Sequence, residues 1–315
     1  MRRGIILLLS LLVASMVLFV LLRLLPGDPA NALLSVGADP AQIEAARAQV
    51  GSNLPLWQQF LQFLSSLLRF DFGNSFVSDA PVTREVLNRL TVTLPLTFMA
   101  FVLAIIIAVP LGVISAVKSD RWYAAVITAV SQLGIAIPAF WMGILLVMVF
   151  AIQIRLFPSG GFPLRGWGAP LEALHTLFLP VLTIALVMAA SLMRYVRAST
   201  LEVVGSDYLR TARALGDSFA SAFWRHGIRN ASIPVISILG IELGTAFLGA
   251  VVIEQVFSLP GLGSMLLMGI EQRDYPNVQG VLFISTLLVL VVGFIADVSQ
   301  RLIDPRLRHS AGARS

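Results

Sequence analysis

Six stretches of this chain are apolar for long enough to cross a lipid bilayer. A spanning helix needs roughly 20 largely apolar residues to carry the backbone through the hydrocarbon. The first stretch runs from Gly4 to Leu22, carries no charge, and is flanked by Arg2, Arg3 and Arg23. The second lies within Leu90–Val117 and the third within Trp122–Ile154. The fourth is Thr176–Met193, the fifth about Ala231–Ile253, and the sixth about Asn277–Ala296. Only the fifth holds a charge, Glu242. Hydrophobic residues make up 57% of the chain and charged residues 12%. Soluble domains run near 45–50% and about 25%. Too little polar surface exists to cover this apolar content in water, so the expected fold class is an all-α membrane protein with six transmembrane helices.

The first stretch has a rival reading as a cleaved secretory signal, with Ala30-Asn31-Ala32 as the processing site. Its apolar run exceeds the usual length of about 7–15 residues, and Pro26 and Pro29 intervene, which favours retention as a span. Basic residues set the orientation, because they accumulate on the cytoplasmic side. With the N-terminus inside, the inner segments hold Arg2, Arg3, Lys118, Arg121, Arg194, Arg197, Arg210, Arg213, Arg225, Arg229, Arg301, Arg306, Arg308 and Arg314. The short outer loops keep Arg155, Arg165 and Arg273. The net charge of +5 is therefore a topology signal. No basic run is interleaved with exposed aromatics, so nucleic acid is not an expected partner, and membrane lipid is.

The organisation reads as a first transmembrane helix over 1–23, an outer loop over 24–89 and a five-helix core over 90–315. The outer loop opens with a Pro26-Gly27-Asp28-Pro29 turn. Helices are expected near Pro40–Val50 and Leu56–Leu68. In the second, Leu56, Phe60, Phe63, Leu64 and Leu67 share one apolar face. That face suits packing on the spans or the membrane surface, and equally a docking surface for an external partner. The core includes a cytoplasmic loop, 194–230, and an outer segment, 254–276, too short to span and therefore re-entrant or interfacial. Pro110 and Pro138 are expected to kink their spans.

Catalytic motifs are absent from the sequence. The one lysine, Lys118, follows Val117 rather than the glycine a phosphate-binding loop requires. His175, His226 and His309 form no metal-ligating pattern, there is no nucleophile elbow, and there are no cysteines. The chain is therefore not expected to be an enzyme or to bind a cofactor or metal.

The cytoplasmic loop carries the most information. Ser206-Asp207-Tyr208-Leu209-Arg210-Thr211-Ala212-Arg213-Ala214-Leu215-Gly216 reads as a short helix. Ser206 is its side-chain cap, Asp207 suits the positive end of the dipole, and Gly216 fits the position past the C-terminus. A second helix is expected over Ser218–Arg225, with Phe219, Ala222 and Phe223 on one face. Patterning alone leaves open a connector resting on the membrane surface.

The run from Arg210 to Gly216, followed by Arg225-His226-Gly227-Ile228-Arg229-Asn230-Ala231-Ser232-Ile233-Pro234, resembles the "EAA" loop of bacterial ABC importer permeases. More narrowly it resembles the B-type permease of the peptide/nickel group, the dipeptide-permease B kind. The resemblance extends to Arg23–Pro29, Asp71–Ser75, Pro138–Gly143, Phe257–Gly263, Arg273–Gly280 and Asp304–Arg308. Arg229-Asn230 stands where C-type partners usually carry Pro-Asn. The sequence departs from the general motif at Arg210, where Glu is usual, and at Leu215, where Lys is usual.

The resemblance implies a type I ABC importer transmembrane domain in the bacterial plasma (inner) membrane, with both termini cytoplasmic. It implies a C-type homologous permease subunit as heterodimer partner, two cytoplasmic ATPase subunits holding ATP and Mg, and an extracytoplasmic substrate-binding protein. It further implies that Asp207, Tyr208, Arg210, Thr211, Ala212, Arg213, Ala214 and Gly216 couple to the ATPase. Arg210 and Arg213 would make polar contacts, and Ala212 and Ala214 close packing. Phe257, Pro260, Gly261 and Gly263 would form an outer gate or re-entrant segment. The expected cargo is a di- or oligopeptide, with a nickel complex, glutathione or an opine as alternatives and a secondary carrier as the runner-up class. An intramembrane acid faces the bundle interior or a water-filled path, so Glu242 lines the translocation path or is neutralised by protonation or by the partner subunit. Gly240 and Gly244 read as a small-residue packing seam on the same helix.

Overall fold

The computed structural model describes residues 2–24 and 53–303, with isolated positions between them. The Pro26–Pro29 turn, the Ala30–Ala32 site, most of the Pro40–Val50 stretch and the Asp304–Arg308 tail lie outside the described residues. Helix α1 is Arg2–Leu24, α2 Leu56–Leu68 and α3 Val82–Val117. Helix α4 is Trp122–Ala136, and α5 is Ala139–Leu146, continued by a π-helical stretch, Val147–Gln153. Helix α6 is Pro170–Val204 and α7 Asp207–Ala214. Helix α8, Phe219–Ala222, passes through a π-helical turn, Phe223–Gly227, into α9, Ile228–Val256. Helices α10, Leu262–Glu271, and α11, Tyr275–Ile303, complete the order. Among the described residues five helices are long and apolar enough to cross a membrane, or six if the bent pair α4–α5 is one span.

The third expected span is thus broken. The chain bends by 107° between its halves, at Pro138, which lacks the N–H that would continue the ladder and pushes its predecessor out of the helical region. Ile137 is accordingly extended, with φ −83 and ψ 123. Both halves pack on α6. Pro110, by contrast, lies inside α3 without interrupting it. The inner loop is shorter than its sequence range suggested, because α6 continues to Val204 and α9 begins at Ile228. Similarly, α9 runs past Glu254, a buried residue of the helix rather than the start of the outer segment.

The described chain divides into two compact units, Met1–Thr93 with Pro260–Leu290, and Leu94–Leu259 with Val291–Ser315. In the first unit α1 and α2 pack through Phe19, whose ring lies 5.4 Å from Phe60 and 5.5 Å from Phe63. Phe63, Leu67, Phe72, Val82, Val86, Leu262, Met265 and Phe283 form its core. The apolar face of α2 is therefore used in packing, although Leu56 at its start stays exposed. In the second unit α6 is the central element, packed by α4, α5 and α9. Ser131 Oγ ties α4 to α6 by donating to the Ala190 carbonyl at 2.7 Å.

Candidate coupling site and transport path

The expected short helix after the fourth span forms as α7, Asp207–Ala214. Its end follows from local geometry. Gly216 adopts φ +103, a left-handed conformation open to glycine at no steric cost. Its N–H donates to the Arg213 carbonyl at 3.1 Å, and the Asp217 N–H to the Ala212 carbonyl at 3.2 Å. Together these satisfy otherwise orphaned carbonyls in a Schellman closure. The start differs from expectation. Ser206 occupies the capping position, but its hydroxyl makes no cap bond and donates instead to the Val203 carbonyl at 2.6 Å. That carbonyl belongs to the last turn of α6, whose terminal carbonyls lack partners within the helix.

One side chain anchors α7. Leu209 is 1% exposed, and α7 packs on α8 and the π-helical turn after it. The Arg213 guanidinium lies 5.9 Å from the Phe219 ring centroid, and Phe219 stacks on Phe223 at 6.0 Å. Below, Phe223, Val203 and Ala231 form a small apolar cluster. Ser199 Oγ donates to the Ala231 carbonyl at 2.6 Å, and Arg197 donates to the Ser115 carbonyl. These bonds tie α6 to α9 and to α3, so α7 sits on a braced base.

The face left outward carries most of the expected coupling residues. Asp207, Tyr208, Arg210, Thr211, Arg213, Ala214 and Gly216 are exposed, and Ala212 is half-buried. Leu215 is 85% exposed and Trp224 67%, an apolar surface beside charged groups. Arg210 reaches Asp207 at 3.7 Å, a solvent-exposed pair that contributes little and exchanges readily for another partner. The second expected helix, Ser218–Arg225, is instead a short α-turn that merges with the span through π-helical geometry. Ser218 does cap it, accepting from the Ser221 N–H at 3.2 Å.

Glu242 lies in α9, where Ser191 Oγ of α6 donates to its Oε1 at 2.7 Å. Gly240 faces Ala296 so closely that a Cβ there would collide with the alanine methyl, and Gly244 is buried. The expected small-residue seam is a close-packed face of α9.

The expected outer segment contains the ten-residue apolar helix α10. Phe257 is fully buried, and its carbonyl accepts from the Gly161 N–H at 2.8 Å. Pro260 is half-buried, whereas Gly261 and Gly263 are buried. The Leu262 N–H donates to Thr93 Oγ1 at 2.9 Å. Just beyond α10, Asp274 is wholly buried. Its carboxylate accepts from Ser75 Oγ at 2.5 Å, the Phe76 N–H at 3.1 Å and Asn277 Nδ2 at 2.6 Å. It thereby fastens the loop before α3 to the start of α11.

Sequence reasoning missed Leu209, Ser191 and the Asp274–Ser75 bond. Leu209 had a signal, being the only large aliphatic residue within 207–214. The other two join positions far apart in the chain, and no local pattern announces them.

The chain is similar to known transport proteins over almost all of its length. Residues 108–309 match the family described as binding-protein-dependent transport system inner membrane component. Residues 1–97 match the family of the N-terminal part of such membrane components. A Brucella abortus (strain 2308) protein named peptide transport system permease is 36% identical over 299 residues, 95% of each chain. The glutathione transport system permease protein GsiC of Escherichia coli (strain K12) is 36% identical over 300 residues, again 95% of each. A crystal structure of an amino acid ABC transporter with histidines matches at TM-score 0.54 and 18% identity, covering 70% of this chain and 94% of that one. This last likeness concerns the fold. The chain belongs to the family of binding-protein-dependent transport system inner membrane components.

Proposed function

We propose that this chain is one half of a heterodimeric pore in an ATP-driven importer of di- or oligopeptides. The observation that carries this reading is α7, a short helix with a buried anchor, a braced base and an outward face of charged and apolar groups. Such an element can transmit force because its docking free energy can differ between two global states of a transporter. Two cytoplasmic ATPase subunits would grip α7 and supply ATP and Mg, a C-type permease would complete the pore, and a substrate-binding protein would deliver cargo to the outer face. Both termini then lie in the cytoplasm, on the side of α7. Asp207, Tyr208, Arg210, Thr211, Arg213, Ala214 and Gly216 form the contact face, and half-buried Ala212 packs closely beneath it. Phe257, Pro260, Gly261 and Gly263 belong to the outer rim and gate access from that side.

Peptide cargo is supported by the Brucella relative's name, and the equal identity to an Escherichia coli glutathione permease supports glutathione, itself a tripeptide, as a second reading. Gentle solubilisation, affinity capture of this chain and mass spectrometry test the assembly. A homologous permease and ATPase subunits should co-purify, and their absence would refute it. Uptake of radiolabelled dialanine, trialanine and glutathione by the reconstituted assembly with its binding protein then separates the cargo readings.

A further inference from the structure

Glu242 stands midway along α9, between Ile228 and Val256, and is half-buried. Ser191 occupies one of its oxygens and fixes the carboxylate's orientation. Toward the C-terminus of α9 the same face is small and open, whereas the half-buried Ile238 and Leu239 lie one turn before Glu242. Thr245, one turn on, is exposed, and its hydroxyl donates to the Glu242 carbonyl at 2.9 Å. Gly249, two turns on, has nothing within 4 Å of where a Cβ would stand. Among the described residues no Lys or Arg pairs with this carboxylate. Arg194, one turn beyond Ser191 on α6, lies over the Tyr195 ring, 5.1 Å from its centroid. A charged residue at mid-span facing acyl chains costs about 2.5–3.5 kcal/mol, so this open face does not belong against lipid. Its carboxyl group and the small residues that follow it suit a cation with room around it.

We propose that Glu242, oriented by Ser191, contacts a cationic group of the cargo, an ammonium or a guanidinium, as it crosses the pore. The inference rests on the peptide-importer reading and adds a preference within it. The test uses the complete importer in proteoliposomes with its binding protein, and trilysine and trialanine as probes. Glu242→Gln should lower trilysine uptake relative to trialanine about tenfold, the change that ~1.4 kcal/mol of lost interaction produces. Ser191→Ala should shift the ratio in the same direction by less. An unchanged ratio overturns the proposal. So does an equal loss of both uptakes with disrupted assembly, which would make Glu242 a contact to the partner permease. Wild-type uptake of trialanine but not trilysine overturns the proposal alone. Wild-type uptake of neither overturns this inference, and the peptide reading falls with it only if dialanine and glutathione are refused as well.

Discussion

Replacing Leu209 by alanine should uncouple transport without removing the protein from the membrane. Helix α7 has eight residues, well short of the roughly 12–15 at which an isolated helix becomes even marginal in water. Its order therefore depends on docking. Leu209 is the residue that docking buries, at 1% exposed. Truncating a buried leucine to alanine costs about 2–5 kcal/mol, and a site at the edge of the fold, free to relax, belongs near the lower end. The Arg213–Phe219 contact retains only about 0.5–1 kcal/mol. A loss of ~3 kcal/mol lowers the docked-to-undocked ratio by about two powers of ten. Hydrogen exchange of the 207–216 amides in nanodiscs should accelerate by about that factor, while exchange in the rest of α6 and α9 stays near wild type. Binding-protein-stimulated ATPase activity and uptake should fall together. Leu209→Met, which nearly conserves volume, should cost less than about 1.5 kcal/mol and keep activity. Unchanged exchange over 207–216 in Leu209→Ala would refute the anchoring argument, whatever the transport result.

Three further substitutions probe the site and its scaffold. Gly216→Pro should abolish transport while leaving membrane insertion intact, because φ +103 is closed to proline and the bond to the Arg213 carbonyl is lost; wild-type uptake would contradict it. Ala212→Asp places a charge at a half-buried position under the contact face and should likewise stop uptake; wild-type uptake with ATPase binding intact would sink the assignment. Asp274→Ala leaves the Ser75, Phe76 and Asn277 donors without their acceptor and should destabilise the first unit by about 1–3 kcal/mol, read as a lower thermal midpoint in detergent; an unchanged midpoint would remove the fastening role.

The spans and the short helix α7 were legible in the sequence because both rest on local pattern. Five of the six long uncharged or nearly uncharged runs become membrane-length helices, the Pro138-broken third being the exception, and Gly216 marks a stop that its positive φ requires. Other helix ends carry no such mark. Phe70, Ser258 and Arg273 adopt left-handed φ of 54, 49 and 57 and close α2, α9 and α10 where glycine would be expected. The structure closes each end with a paired set of backbone bonds, such as Leu259 N–H to the Glu254 carbonyl at 2.8 Å. Such bonds repay the strain of a residue with a side chain in this conformation. The same limit separates Pro110 from Pro138. Both are prolines in apolar runs, but one stays within a helix and the other breaks its span, with packing partners for both halves along α6. Glu242 was legible as an oddity, and Ser191 as its partner was not, because a contact across 51 positions is set by packing rather than by spacing.

The sequence contains no cysteine, so a single engineered thiol reports on one place without interference. Leu215→Cys, next to α7 and exposed, can be paired with single cysteines on the ATPase subunits proposed to grip α7 and cross-linked in membranes with and without ATP and Mg. A disulfide or short bismaleimide bridge between the two subunits, with a yield that changes on nucleotide addition, is the predicted result. A bridge of equal yield from Leu61→Cys on α2, or none from Leu215→Cys in an assembly that transports, would contradict the claim that α7 is where the ATPase drives this chain.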